Sequence, residues 1–260
     1  MAGKNLEIFN EAIANGIIVP DRGLTLPGRD MTERWYMATS PYLSGISGNE
    51  PVITGILDQA RDQAKGANET RLDTLLSRVV IDSEPGGLTA FYGDTYHLQR
   101  EVIEDAHALA AVIDACGKTG HGDIGAALCL RSSAGIEEAW EITRRHRVSV
   151  IEAVKSARQH ESAAGVYEVQ GAMLASDVAD ILSRDIPHES PVLVFAQGQG
   201  FCHLSARSLQ GTPANLGPMV RELAEACGGT GGGHLLRAGA TIPCNRIADF
   251  TKGWQEALAS

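Results

Sequence analysis

Cys227-Gly228-Gly229-Thr230-Gly231-Gly232-Gly233-His234, followed by Arg237-Ala238-Gly239-Ala240-Thr241-Ile242, is the stretch on which the fold turns. Five of the six residues from 228 to 233 are glycine. A backbone without Cβ atoms takes positive φ and lets a ligand come close. Successive free N–H groups in such a loop can line a concave anion site. His234 closes the loop and Arg237 stands three residues on, so both offer donors to a phosphate or carboxylate. Apolar chain resumes at Ala240-Thr241-Ile242, so the loop is expected to lead into a strand. A mobile linker is the competing reading, but linkers are usually longer and rich in serine.

Around that loop, strands and helices interleave. Asn215 to Cys227 reads as an amphipathic helix running into the glycines. Pro191 to Ala196 is a strong strand, Gln197-Gly198-Gln199-Gly200 a tight turn, and Phe201 to Arg207 a second strand. Gly165 to Val169 is a short strand, and Met173 to Leu182 a helix. Ile247 to Leu258 is a closing helix with Phe250 and Trp254 inward. Alternation puts Ser205 and Arg207 on one face of their strand. Two readings stay open for that pair. Either they converge with His234 on one phosphate, or Arg207 pairs with a surface carboxylate.

Upstream, the periodicity is mostly helical. Residues 5–15, Pro51 to about Lys65, Leu98 to Cys116 and Ile136 to about Arg158 read as helices, and Leu72-Leu75-Leu76 as a helical turn. Val79-Val80-Ile81 and Leu88 to Tyr92 flank Pro85-Gly86-Gly87 and are expected to pair as strands. Gly16 to Pro20 is a brief extended piece. Ser40 to Glu50 and Gly117 to Gly125 are loops, and Ile124 to Leu130 is helix or strand. The expected architecture is α/β: a largely helical middle region over residues 1–160, then a C-terminal mixed-sheet α/β domain over 161–260.

The net charge of −10 argues against a surface that coats nucleic acid broadly. The charge is uneven, however. From Gln197 to Ser260 there are five Lys+Arg against four Asp+Glu, which leaves −11 for the rest. A local anion site near the glycines is compatible with that balance. No apolar run approaches the ~18 residues of a membrane span. The start has no signal-peptide core, so a cytoplasmic protein without a membrane partner is expected. The five cysteines form no C-x-x-C pair and read as buried free thiols.

Several motifs fail on inspection. Gly117-Lys118-Thr119 has Val112 where a P-loop needs glycine. Gly198-x-Gly200 lies between two strands, which is hairpin context and not a dinucleotide fingerprint. Asn49 spoils G-x-S-x-G at Gly45 to Asn49. No two histidines are adjacent, and no two aspartates stand at i and i+2, so a dense two-metal centre is missing. Arg144-Arg145-His146-Arg147, one turn after Glu137, Glu138 and Glu141, reads as a paired, solvated helix face.

The order Ser205-x-Arg207, then Gly231-Gly232-Gly233-His234, then Ala238-Gly239-Ala240 strongly resembles the DHH-associated C-terminal domain of the DHH phosphoesterase superfamily. Ser40 to Gly48, Ala115 to Gly120 and Gly125 to Leu130 resemble the archaeal RecJ-like single-strand exonucleases. The resemblance implies a phosphate-binding set of Ser205, Arg207, Gly231, Gly232, Gly233 and His234. Arg237 is added on its position alone. Lys118 stands where arginine is expected, which weakens a phosphate role there. The family's catalytic aspartates and its Asp-His-His motif have no counterpart in these residues. No catalytic residue, metal ligand or cofactor is therefore assigned; Mn²⁺ or Mg²⁺ is expected only with a catalytic DHH domain. Such a chain would be a fragment, half of a split enzyme or a paralogue without catalysis.

The implied partners are single-stranded DNA or RNA, a catalytic DHH domain or homologue, and replication or repair proteins. A non-catalytic interaction subunit is the alternative. Alanyl-tRNA synthetases have a related C-terminal domain with the same glycine loop, but Ser40 to Gly48 and Cys116 to Leu130 do not suit it.

Overall fold

A computed structural model of the chain describes residues 3–64, 91–159, 161–163, 165–186, 191–208 and 215–259. The expected strand at Val79 to Ile81, residues 88–90 of the expected strand Leu88 to Tyr92, and the helical turn at Leu72 to Leu76 lie outside these residues; Tyr92 itself pairs with Leu24. The chain divides into two compact units, Met1–Val148 and Ser149–Ser260.

The first unit holds α1 (Lys4–Ala14), β1 (Ile18–Leu24), α2 (Met31–Tyr36), α3 (Glu50–Ala64), β2 (Tyr92–Leu98), α4 (Ala106–Lys118) and α5 (Gly122–Cys129). It also holds the first half of α6 (Ile136–Gln159). β1 and β2 form an antiparallel ribbon running from Ile18 opposite Leu98 to Leu24 opposite Tyr92. One core gathers Leu24, Leu26, Trp35, Leu43, Ile53 and Phe91. Another gathers Ile103, Val112, Cys116, Leu128, Trp140 and Ile142.

Three expectations change here. Leu98 to Cys116 is not one helix. Asp105 accepts the Ala108 N–H at 3.0 Å, and this cap starts α4 at Ala106. Before it, the Leu98 N–H donates to Glu104 O at 2.7 Å across a turn. The loop at Gly117 to Gly125 shrinks to Thr119–His121, because α4 continues to Lys118 and α5 begins at Gly122. The basic run on α6 is not all solvated: His146 is buried, and Arg147 Nη1 donates to Met37 O and Thr39 Oγ1, each at 3.0 Å.

The second unit holds the rest of α6, β3 (Glu161–Ala163), β4 (Val166–Glu168), α7 (Ala175–Asp185), β5 (Val192–Gly198) and β6 (Phe201–Arg207). α8 (Leu216–Ala226), β7 (Thr230–Gly233), β8 (Arg237–Pro243) and α9 (Ile247–Ala259) complete it. Its six-stranded sheet has the order β3-β4-β5-β6-β8-β7. Only β4 and β5 run parallel; the other neighbours are antiparallel. The fold is thus mixed α/β, as the sequence implies.

The β5–β6 hairpin turns on Gln199 (φ 50°) and Gly200 (φ 86°), the two positive φ values that a primed two-residue turn requires. Leu193, Cys202, Leu204, Ala206, Ala238 and Ile242 point to one side of the sheet. There they meet Leu216, Val220, Phe250 and Trp254.

All five cysteines are free, but they are not uniformly buried. Cys129 is exposed at the end of α5 and Cys244 is half-buried.

Candidate functional site

The glycine stretch is not a loop. Thr230–Gly233 is β7, the edge strand, paired with β8 so that Gly232 faces Gly239 and Gly233 faces Ala238. The reason for glycine is packing as much as conformation. A Cβ on Gly231 would lie 2.9 Å from the Ala224 Cβ and 3.0 Å from Val220 O, both on α8. A Cβ on Gly217 would meet Gly233 O at 2.5 Å from the other side. α8 therefore rides directly on the β7 backbone. Gly232 (φ 153°) and Gly233 (φ 156°) also hold conformations that L side chains rarely adopt. As an edge strand, β7 keeps alternate N–H groups turned away from β8.

Behind β7 the turn at His234 to Leu236 is firmly tied. The His234 N–H donates to Arg237 O at 2.7 Å, the Leu216 N–H to Leu235 O and the Ser208 N–H to Leu236 O, each at 3.0 Å. The His234 side chain is exposed, and no partner for its ring is found among the described residues.

On the sheet face opposite α8, β6 presents His203, Ser205 and Arg207, and β8 presents Thr241, Gly239 and Arg237 directly across from them. α7 covers the Arg207 end. Arg207 is only 8% exposed, and its guanidinium is held on three sides. Nε donates to Asp180 Oδ1 at 2.6 Å, Nη2 to Ser176 Oγ at 2.8 Å and Nη1 to Ala206 O at 2.9 Å. Arg237 reaches the same Asp180 Oδ1 through Nη2 at 3.2 Å, but its side chain stays 65% exposed.

Arg207, Arg237 and Asp180 line one cleft of about 500 Å³ with Ser183, Arg184, Ser208 and Leu236. Arg184 is bonded to Asp185 at 2.6–2.7 Å, and that contact holds its guanidinium above the usual arginine range. Two carboxylates thus face three guanidinium groups, and the cleft keeps a positive excess.

Of the residues singled out from sequence, the structure brings Arg207 and Arg237 together, with Ser205 two positions along β6. Gly231, Gly232 and Gly233 stand one strand further out, on β7. His234 does not line the cleft. A shallower hollow of about 480 Å³ lies farther along the sheet, over His203, Thr230, Gly231, Gly239 and Thr241, where Thr241 Oγ1 lies 3.3 Å from His203 Nδ1.

Sequence reasoning missed Asp180 and Ser176. The signal was present: four residues apart on a helix, they share one face. Among the described residues no three His, Cys, Asp or Glu side chains gather as a metal site.

Residues 168–260 match the DHHA1 domain. The match takes in α7, the Arg207–Asp180 pair, the glycine strand and α9. It supports a DHH-superfamily associated domain at this end of the chain.

The likenesses that run over most of the chain are at low sequence identity. An uncharacterized protein of Methanocaldococcus jannaschii is 22% identical over 224 residues, 85% of this chain and 50% of that protein. The chain therefore spans about half the length of the curated relative it matches. The crystal structure of CDC45 from Entamoeba histolytica has a TM-score of 0.58 at 9% identity, over 94% of this chain and 58% of that one, which shows a shared fold. RecJ from Thermus thermophilus, solved in complex with Mg²⁺, has a TM-score of 0.49 at 16% identity, over 87% of this chain and 33% of that one. Among the described residues no helix is long and apolar enough to cross a membrane.

Proposed function

We propose that this chain is the substrate-holding C-terminal portion of a RecJ-like DHH phosphoesterase or exonuclease, and that it binds single-stranded nucleic acid in the cytoplasm without cutting it. In this reading residues 161–260 are the nucleic-acid-binding domain and 1–160 the middle region. The observation that carries it is the pair of arginines, Arg207 and Arg237, set opposite each other on β6 and β8 and sharing one carboxylate in a positive cleft.

Arg237, the exposed member, takes the phosphate first. Arg207, fixed by Asp180 and Ser176, turns its remaining N–H groups to the same anion. Such charge-assisted bonds are the strong ones. The Ser205 hydroxyl, the edge N–H groups around Gly231, Gly232 and Gly233, and His234 hold the neighbouring backbone. A catalytic DHH domain, with its Mn²⁺ or Mg²⁺, supplies the hydrolytic chemistry. This chain positions the strand, and positioning alone can lower a barrier by several kcal/mol.

The test is a gel with end-labelled single-stranded DNA, the purified chain and Mn²⁺, run beside Arg237→Ala and His234→Ala. Retardation without shortening, weakened in both variants, is the expected outcome. Shortening by this chain alone overturns the reading.

The acidity of residues 1–196 favours a second reading. Their net −11 suits a protein partner better than DNA, and the chain would then be a non-catalytic subunit of a replication or repair nuclease. A stable complex with a catalytic homologue, indifferent to His234→Ala, would decide for it.

A further inference from the structure

Cys202 and Cys244 lie 42 residues apart in sequence, yet their Sγ atoms are 2.9 Å apart. A disulfide bond is ~2.0 Å long, so closure needs a movement of under one ångström. Two strands bring the thiols together. Cys202 is the second residue of β6, opposite Ile242 of β8, with its side chain on the core side beside Leu204 and Ala206. Cys244 opens the short turn that follows β8, and its N–H donates to Gly200 O at 3.0 Å. That bond clamps the exit of β8 against the β5–β6 hairpin.

The two thiols differ in access. Cys202 is fully buried, whereas Cys244 is half-buried and open to small solutes. Cys227, nearby in the same core, is turned elsewhere, with its Sγ directed at Arg246 O. From this geometry we infer that Cys202 and Cys244 form a peroxide-oxidised dithiol that closes to a disulfide across β6 and β8.

Burial first, and then the contact with Cys244, push the Cys202 thiol up to about 12. Cys202 therefore keeps its proton at neutral pH, and the attacking sulfur is Cys244. In the first step Cys244 Sγ attacks one oxygen of the peroxide. The S–O bond forms as the O–O bond breaks, and the departing hydroxide takes up the Cys244 thiol proton, so that a sulfenic acid and water result. In the second step Cys202 Sγ displaces the hydroxyl from Cys244 Sγ. The S–S bond forms, the S–O bond breaks, and the Cys202 proton leaves with the hydroxide as water. Two thiols lose two electrons in all, and one hydrogen peroxide becomes two waters.

The experiment treats the intact reduced chain with hydrogen peroxide, quenches it in denaturant with an alkylating agent, and maps the peptides by mass spectrometry, with Cys244→Ser and Cys202→Ala alongside. The expected result is loss of alkylation at Cys202 and Cys244 together. A disulfide-linked peptide joining them should appear, vanish on treatment with a dithiol reductant, and be missing from both variants. Cys244 driven on to sulfinic acid while Cys202 is still alkylated would overturn the inference. So would a disulfide in which either residue pairs with Cys227 or Cys129.

Discussion

Asp180 is the residue on which the cleft depends, because it holds a buried guanidinium and an exposed one with the same oxygen. Removing one partner of a buried pair leaves the other uncompensated, typically at ~3 kcal/mol or more. Asp180→Ala should therefore lower the urea midpoint of the chain by an amount equivalent to about 3 kcal/mol. Adding Arg207→Met should recover a substantial part of that loss, since the orphaned charge is then gone as well. If the double variant is less stable than Asp180→Ala alone, the pair is not the source of the effect.

At this scale the sequence was only half legible. Ser205-x-Arg207 could be placed on one face from strand alternation, and both roles for Arg207 could be stated. The choice of partner could not, because Asp180 lies 27 residues away on α7 and only the packing of that helix over β6 brings it near.

Elements show the same mixture. The β5–β6 hairpin, α6, α8 and α9 were readable because their patterns are local: alternation, a Gly-rich turn, an apolar stripe. β2 was missed because Tyr92-Gly93-Asp94-Thr95-Tyr96-His97-Leu98 is a polar ribbon strand set by its pairing with β1, and not by alternation toward a core. The glycines from 228 to 233 stand out in the sequence, but the run by itself reads as a loop. Their cause, the close approach of α8, is a tertiary fact.

That cause has a test. Gly231→Ala, with its Cβ 3.0 Å or less from α8 atoms, should destabilise the chain by about 1–3 kcal/mol in chemical denaturation, as overpacking does. Gly117 is exposed in α4, and a Cβ there meets nothing within 4 Å. Gly117→Ala should therefore stabilise by roughly 0.5–1 kcal/mol. Equal effects from the two substitutions would mean that helix–strand contact does not explain the glycine at 231.

Over the whole molecule, charge is what most constrains behaviour. In the first unit Arg29 bonds to Glu33 at 3.0 Å, reaches Glu137 and Glu141 at 3.5 and 3.4 Å, and lies 5.8 Å over the Trp140 ring. The Arg29 hydrogen bond holds the Glu33 carboxyl below its ordinary value. A carboxyl depressed in the folded state adds stability that is present above the unfolded pKa, near 4.3, and is lost as pH falls through the folded one. The first unit should thus lose stability from about pH 5 downward, with a gentler slope in Glu33→Gln. An unchanged slope in thermal melts across that range would remove Glu33 from the account.

In the second unit the prediction concerns salt. Of the three arginines in the cleft Arg184 is bonded to Asp185, so Arg207 and Arg237 are left to engage few phosphates, and each neutralised phosphate of a single strand adds ~0.7 to the slope of log affinity against log salt. The measurement to make is fluorescence anisotropy of a labelled single-stranded oligonucleotide, titrated with the intact chain at several salt concentrations, for the unaltered protein and for Arg237→Ala. The account predicts saturable binding, a slope of about −1 to −2, and a slope lower by roughly one phosphate's worth in the variant. Binding indifferent to Arg237→Ala, or no binding even at the lowest salt, would contradict the claim that this cleft holds nucleic-acid phosphate.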